Sequence, residues 1–187
     1  MKQIIKRLGL LLLLLTAILT AHADPVASIN ENFDASSSIP AGWTQKRVAG
    51  DKAWYVPSFN GNNYAAMTGF KGTAPFDQWL ISPAIDMSKV SKKVLTFDTK
   101  VNGYGSAQSA LKVFVLTAAD PTTAKTTQLN PTLATAPASG YSDWANSGEL
   151  DLSAFSGIIY IGFEYTSPVA DNYATWCVDN VKLNAAK

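Results

Sequence analysis

The chain has 187 residues, with fifteen Lys and Arg against fourteen Asp and Glu, a net charge of +1 and 47% hydrophobic residues. So even a balance gives no electrostatic reason to expect nucleic acid or an anionic membrane surface as a partner. The single cysteine, Cys177, excludes an intramolecular disulfide.

The start of the chain reads as an export signal. Lys2, Lys6 and Arg7 form a basic beginning, Leu8 to Leu19 an apolar run, and Ala21-His22-Ala23 a small-residue cleavage site. The run is too short for a spanning helix of ~20 residues. Residues 1–23 are expected to be removed, leaving 24–187 as one secreted domain. Removing 23 residues from 187 leaves 164, enough for a single core that buries roughly 70% of the unfolded surface. Losing Lys2, Lys6 and Arg7 leaves twelve basic against fourteen acidic residues, a net charge of about −2. The only histidine, His22, is lost too, so histidine catalysis and histidine metal ligation are excluded. Without such a base, Cys177 reads as a buried small hydrophobe and not as a nucleophile.

From residue 24 onward, short β-branched and aromatic runs alternate with Gly, Pro, Ser, Thr and Asn clusters, and no stretch keeps a helical period. Strands are predicted at 26–33, 43–48, 53–56, 64–67, 78–81, 94–101, 110–117, 158–165 and 174–183. An edge strand is predicted near 126–129, inside a long irregular excursion over 120–139. The fold class is all-β, a jelly-roll β-sandwich. In 158–165, Ile159, Ile161, Phe163 and Tyr165 share one face, with Tyr160, Gly162 and Glu164 on the other.

Two acids sit awkwardly in this pattern. Strict alternation groups Glu31 with Ile29 and Phe33, and groups Asp179 with Cys177, Val181 and Leu183. An unpaired carboxylate among apolar side chains costs several kcal/mol. Three resolutions are open: a bulge that turns the acids outward, backbone N–H donors, or a cation between them. Oxygen ligands without His or Cys would select calcium. A structural Ca²⁺ is expected on Glu31 and Asp179, with Asp34, Asn32 or Asp51 completing the shell.

Several blocks in order carry a resemblance: Pro40-Ala41-Gly42-Trp43, then Phe76-Asp77-Gln78-Trp79-Leu80-Ile81-Ser82-Pro83-Ala84-Ile85-Asp86, then Leu95-Thr96-Phe97-Asp98. Trp144 with Leu150-Asp151-Leu152-Ser153, the run Ile159 to Tyr165, and Thr175-Trp176-Cys177-Val178-Asp179-Asn180-Val181 complete it. Together they resemble the choice-of-anchor J and cleaved adhesin domains, secreted or surface β-sandwich modules of bacteria. The resemblance implies a galactose-binding-like jelly roll, often with structural calcium, that acts in adhesion and not in catalysis. It also implies a metal role for Glu31 and Asp179. Such domains often sit in longer anchored proteins, whereas this chain stops at Lys187, just beyond its last predicted strand; the expected location is extracellular, released or at the cell surface.

Three classes of function are weighed. The favoured one is a non-catalytic module for an extracellular glycan or protein. Its candidate ligand-binding aromatics are Trp54 and Tyr55, which point to opposite faces of one strand, with Tyr104, Tyr141, Trp144 and Tyr173 in loops. Trp43, Trp79 and Trp176 are assigned to the core. The alternatives are a β-sandwich glycoside hydrolase with Glu149 and Asp151 as paired carboxylates, and a structural piece of an extracellular assembly.

Overall fold

The computed structural model describes residues 23–103, 109–168 and 174–184. Among these there is no helix and there are fourteen strands. In chain order they are β1 (Ile29–Glu31), β2 (Thr44–Ala49), β3 (Ser58–Phe59), β4 (Asn62–Asn63), β5 (Ala65–Thr68), β6 (Phe76–Ile81) and β7 (Ile85–Asp86). There follow β8 (Val94–Val101), β9 (Ala110–Leu116), β10 (Thr126–Leu129), β11 (Ala145–Asn146), β12 (Leu150–Asp151), β13 (Ile158–Ser167) and β14 (Thr175–Leu183).

They pair antiparallel into two sheets, with β3 and β4 forming a separate hairpin. In the first sheet β14 runs beside β8, with β1 and β5 on its other side, and β11 and β12 pair with the far edge of β8. The second has the order β10, β9, β13, β6, β2, with β7 against the start of β13. The expected β-sandwich is therefore present.

The core lies between the sheets because alternation points one side chain in two inward. Ile159, Ile161, Phe163 and Tyr165 from β13 meet Leu95, Phe97 and Val101 from β8, all at most 2% exposed. The Phe97 and Phe163 rings lie edge to face at 5.2 Å. Trp43 and Trp176 join this cluster. Trp79 is buried elsewhere. It belongs to a second cluster with Ile81 and Leu116 on the outer face of the second sheet, where its ring lies beside Gly162. A Cβ on Gly162 would come within 3.0 Å of that ring, so glycine leaves the room that the indole takes.

Where the strands depart from prediction, the reason is local. Residues 53–56 form no strand, only a bridge between Tyr55 and Ala66, because Trp54 turns inward and donates its indole N–H to the Gln78 carbonyl at 3.1 Å. The first strand is short. Phe33 adopts a left-handed φ of 57° and its N–H donates to Glu31 Oε1 at 2.7 Å.

The last strand carries a bulge between Asp179 and Lys182, with Asn180 at φ 50°. This extra residue breaks the alternation, so Cys177 and Asp179 face outward while Val181 and Leu183 stay in the core. Asp179 thus takes the bulge resolution together with a backbone donor, its Oδ1 accepting the Asn180 N–H at 2.7 Å, whereas Glu31 takes a backbone donor alone.

One ion pair ties β2 to the turn after β9. Lys46 Nζ lies 2.6 Å from Asp120 Oδ2, and with Thr122 it holds that carboxyl down at about 2. The contribution is present above the ordinary value of 3.8 and is lost as pH falls through about 2. Lys46→Met is expected to flatten the decline of Tm across that window in thermal melts. An unchanged decline would show that the pair contributes nothing.

Candidate functional site

The outer face of the first sheet carries the polar groups that the bulge releases. Asp98 and Lys100 alternate outward from β8 with Val94 and Thr96, while Leu95, Phe97, Thr99 and Val101 are buried. Asp179 stands opposite Asp98 and Cys177 opposite Lys100. This gives a two-strand floor bearing two carboxylates, an ammonium group and a thiol.

Aromatic side chains cover one end of the floor. Tyr64, just before β5, and Trp144, just before β11, meet edge to face at 5.4 Å. They come from opposite sides of the two floor strands. Lys100 Nζ lies 5.6 Å from the centre of the Tyr141 ring and 5.7 Å from that of Trp144, within cation–π range of both. Tyr55 joins the group, interacting with Tyr64, Tyr141 and Cys177, and burial pushes the hydroxyls of Tyr55 and Tyr64 up to about 12. Both remain protonated donors at neutral pH. Burial also pushes the Cys177 thiol up to about 12, so it is a poor nucleophile, in keeping with its reading as a small hydrophobe.

Beside the aromatic end is a hollow of 330 Å³ lined by Phe59, Asn62, Tyr64, Asp98, Lys100, Trp144, Asp179 and Asn180. Its carboxylates are fixed by amides. Asp98 accepts from Asn146 Nδ2 at 2.8 Å and Asn180 Nδ2 at 3.0 Å, and Asp179 Oδ2 accepts from Asn62 Nδ2 at 3.0 Å. Burial raises the pKa of Asp179, the Asn62 and Asn180 donors pull it back, and the charges of Asp34 and Asp98 push it up again. A pocket with a few fixed polar groups and aromatic walls suits a small polar ligand with apolar faces.

The structure gathers only part of the expected sets. Tyr55, Tyr141 and Trp144 come together, whereas Trp54 is 3% exposed and belongs to the core, a correction forced by its bond to Gln78. Tyr104 and Tyr173 lie outside the described residues, as does nearly all of the expected signal peptide. Tyr64, Phe59, Lys100, Asp98, Asn62 and Asn180 are site residues that sequence reasoning missed. Asn60-Gly61 is a strong hairpin signal that would have placed Phe59 and Asn62.

The five expected metal ligands are distributed. Glu31 accepts from Phe33, and Asp51 accepts from the Thr73 N–H at 2.8 Å on a different loop. Asp34 accepts from Asn32 Nδ2 at 2.8 Å and from the Asn63 N–H at 2.9 Å. Asp34 also acts on Asp179, but among the described residues no three acidic, Cys or His side chains are placed to hold an ion. The expected shell of Glu31, Asn32, Asp34, Asp51 and Asp179 is thus not assembled as one set of side chains.

Asp151 of the hydrolase pair is not poised as a general acid. Asp151 accepts from the Ser153 N–H at 2.8 Å and its hydroxyl at 2.9 Å, which keep its pKa low, whereas a general acid needs a raised one. A larger hollow of 630 Å³ near Trp43 is lined by Ala23, Ala41, Ala84 and Pro83, with Asp24 its one charged side chain.

No family model matches the chain, and no curated protein matches it. Solved structures do. A cleaved adhesin domain of Lys-gingipain from Porphyromonas gingivalis aligns with a TM-score of 0.63 at 20% identity, over 86% of this chain and 99% of that one. A further cleaved adhesin domain of the same protein aligns with a TM-score of 0.57 at 20% identity, over 84% and 98%. A carbohydrate-binding module specific for non-crystalline cellulose aligns with a TM-score of 0.53 at 14% identity, over 87% and 96%. The fold is an adhesin-like β-sandwich.

Proposed function

We propose that the protein is a secreted, non-catalytic module that binds an extracellular glycan in the hollow over β8 and β14. The observation that carries this reading is the juxtaposition of Trp144, Tyr64 and Lys100 with fixed Asp98, Asp179 and Asn180 around one concavity. Sugar rings stack their C–H faces on aromatic rings, and their hydroxyls donate to carboxylates and accept from amides and ammonium groups. Concavity favours a glycan over a protein partner, which would meet a broader and flatter face. The sandwich shared with adhesin and carbohydrate-binding modules supports the reading. So does the lowered pKa of Asp151, which does not suit a general acid. Membership of the choice-of-anchor J family is part of the same proposal, resting on the sequence blocks alone. Export rests on the basic and apolar start of the chain. No helix among the described residues is long and apolar enough to cross a membrane.

In a glycan panel read with residues 24–187, Trp144→Ala is expected to weaken the best ligand about tenfold with little change in Tm. Undiminished binding would remove the site, and binding of protein but no glycan would move the function to the partner surface.

The calcium ion is a separate proposal, narrowed to Asp34 and Asp179, whose mutual repulsion a cation would relieve. Melting in saturating calcium is expected to exceed melting in EDTA by the equivalent of ~2.7 kcal/mol at 100 times the dissociation constant. Coincident melts would remove the ion and leave the glycan site standing.

A further inference from the structure

The β3–β4 hairpin sets Phe59 apart from the other rings of the site. Its turn is Asn60-Gly61, with φ of 53° and 81°, the positive pair of a tight two-residue connection. The hairpin is bonded at three points to neighbouring elements. Asn62 Nδ2 donates to Asp179, the Asn63 N–H donates to Asp34, and Asn63 Nδ2 reaches the Ser36 carbonyl at 3.4 Å. Yet the Phe59 ring is 61% exposed, the most exposed large hydrophobic side chain of the described residues. A fixed backbone thus holds an apolar ring in solvent at the rim of a polar hollow.

The strand order says where that rim lies. The hairpin leads into β5, which pairs with β14 on the side away from β8, while Trp144 leads into β11, beyond β8 on the other side. Phe59 and Trp144 therefore flank a floor two strands wide, about 5 Å between strand axes. On that floor Asp98 and Asp179 stand opposite each other. A ring entering edge-on would point hydroxyls at the carboxylates and turn one face to each aromatic wall.

Resting on the glycan reading above, we propose that Phe59 is the second wall of a sugar clamp and that it makes the site select pyranosides with all ring substituents equatorial. Such a ring, the β-gluco configuration, shows only C–H groups on both faces, so both can meet an aromatic wall. In the galacto configuration the C4 hydroxyl is axial and projects from one face. Pressed against an aromatic wall, that hydroxyl would lose its water without gaining a partner. A single wall would tolerate the axial group by offering itself to the other face. Two walls do not, so discrimination belongs to Phe59 and Trp144 together while affinity belongs to either.

The test compares methyl β-D-glucopyranoside with methyl β-D-galactopyranoside, which differ only at C4, by ligand-observed NMR titration of the wild type, Phe59→Ala and Phe59→Trp. The wild type is expected to prefer the glucoside. Phe59→Ala should weaken the glucoside about fivefold, erase the preference and leave Tm unchanged, and Phe59→Trp should restore both affinity and preference. Equal or better binding of the galactoside by the wild type overturns the clamp, as does a Phe59→Ala variant with wild-type affinity and preference. If Trp144→Ala abolishes binding of a panel glycan while Phe59→Ala does not alter it, the clamp falls and the glycan site stands. If the wild type binds neither glycoside nor any panel glycan, both fall.

Discussion

The site depends on one backbone event, the bulge at Asp179-Asn180. Regular alternation through β14 would send Cys177, Asp179, Val181 and Leu183 to one face, and any register would then either bury a carboxylate in the core or expose two aliphatic side chains. Placing Asn180 at φ 50° inserts one residue and lets the strand serve both layers. Val181 and Leu183 close the core, while Asp179 faces the hollow. The same residue ties the floor together, since the Asn180 backbone N–H holds Asp179 and its side-chain amide holds Asp98.

Around that floor the aromatic residues serve two purposes. Tyr55 and Tyr64 shield the thiol of Cys177, which is fully buried although it lies on the outer face of its sheet. Trp144 and Tyr141 hold the Lys100 ammonium by its attraction to ring faces. Fixing polar groups before a ligand arrives lowers the ordering cost of binding, as the proposed recognition of sugars requires. The thiol, held protonated at neutral pH, is a poor nucleophile.

Much of the scaffold was legible in the sequence. The expected bounds of β8 and β10 coincide with those observed, because 94–101 alternates cleanly and 126–129 is a short Thr-rich run between turns. β13 and β14 are close for the same reason. The two-residue pieces β3, β4, β7, β11 and β12 were not legible, since they are too short to show a period. The site was legible only in part. Tyr55, Tyr141 and Trp144 could be chosen as aromatics in or near loops, but Asp98 and Lys100 read as ordinary outward residues until β14 and the hairpin are placed beside them. The grouping of Asp179 with core residues held the clue to the bulge, because asparagine tolerates the left-handed region better than other residues with a side chain.

If Asn180 is where it is because it alone resolves the conflict in β14, its conformation should matter more than its amide. Glycine adopts a positive φ without strain, whereas a β-branched residue there is a steric outlier. Thermal melts of Asn180→Gly and Asn180→Val test this directly. The glycine variant should stay folded with a small loss in Tm, and the valine variant should melt clearly lower, by the equivalent of about 1–3 kcal/mol. Equal melting of the two variants would contradict the account, because the left-handed bulge would then not be what the last strand requires.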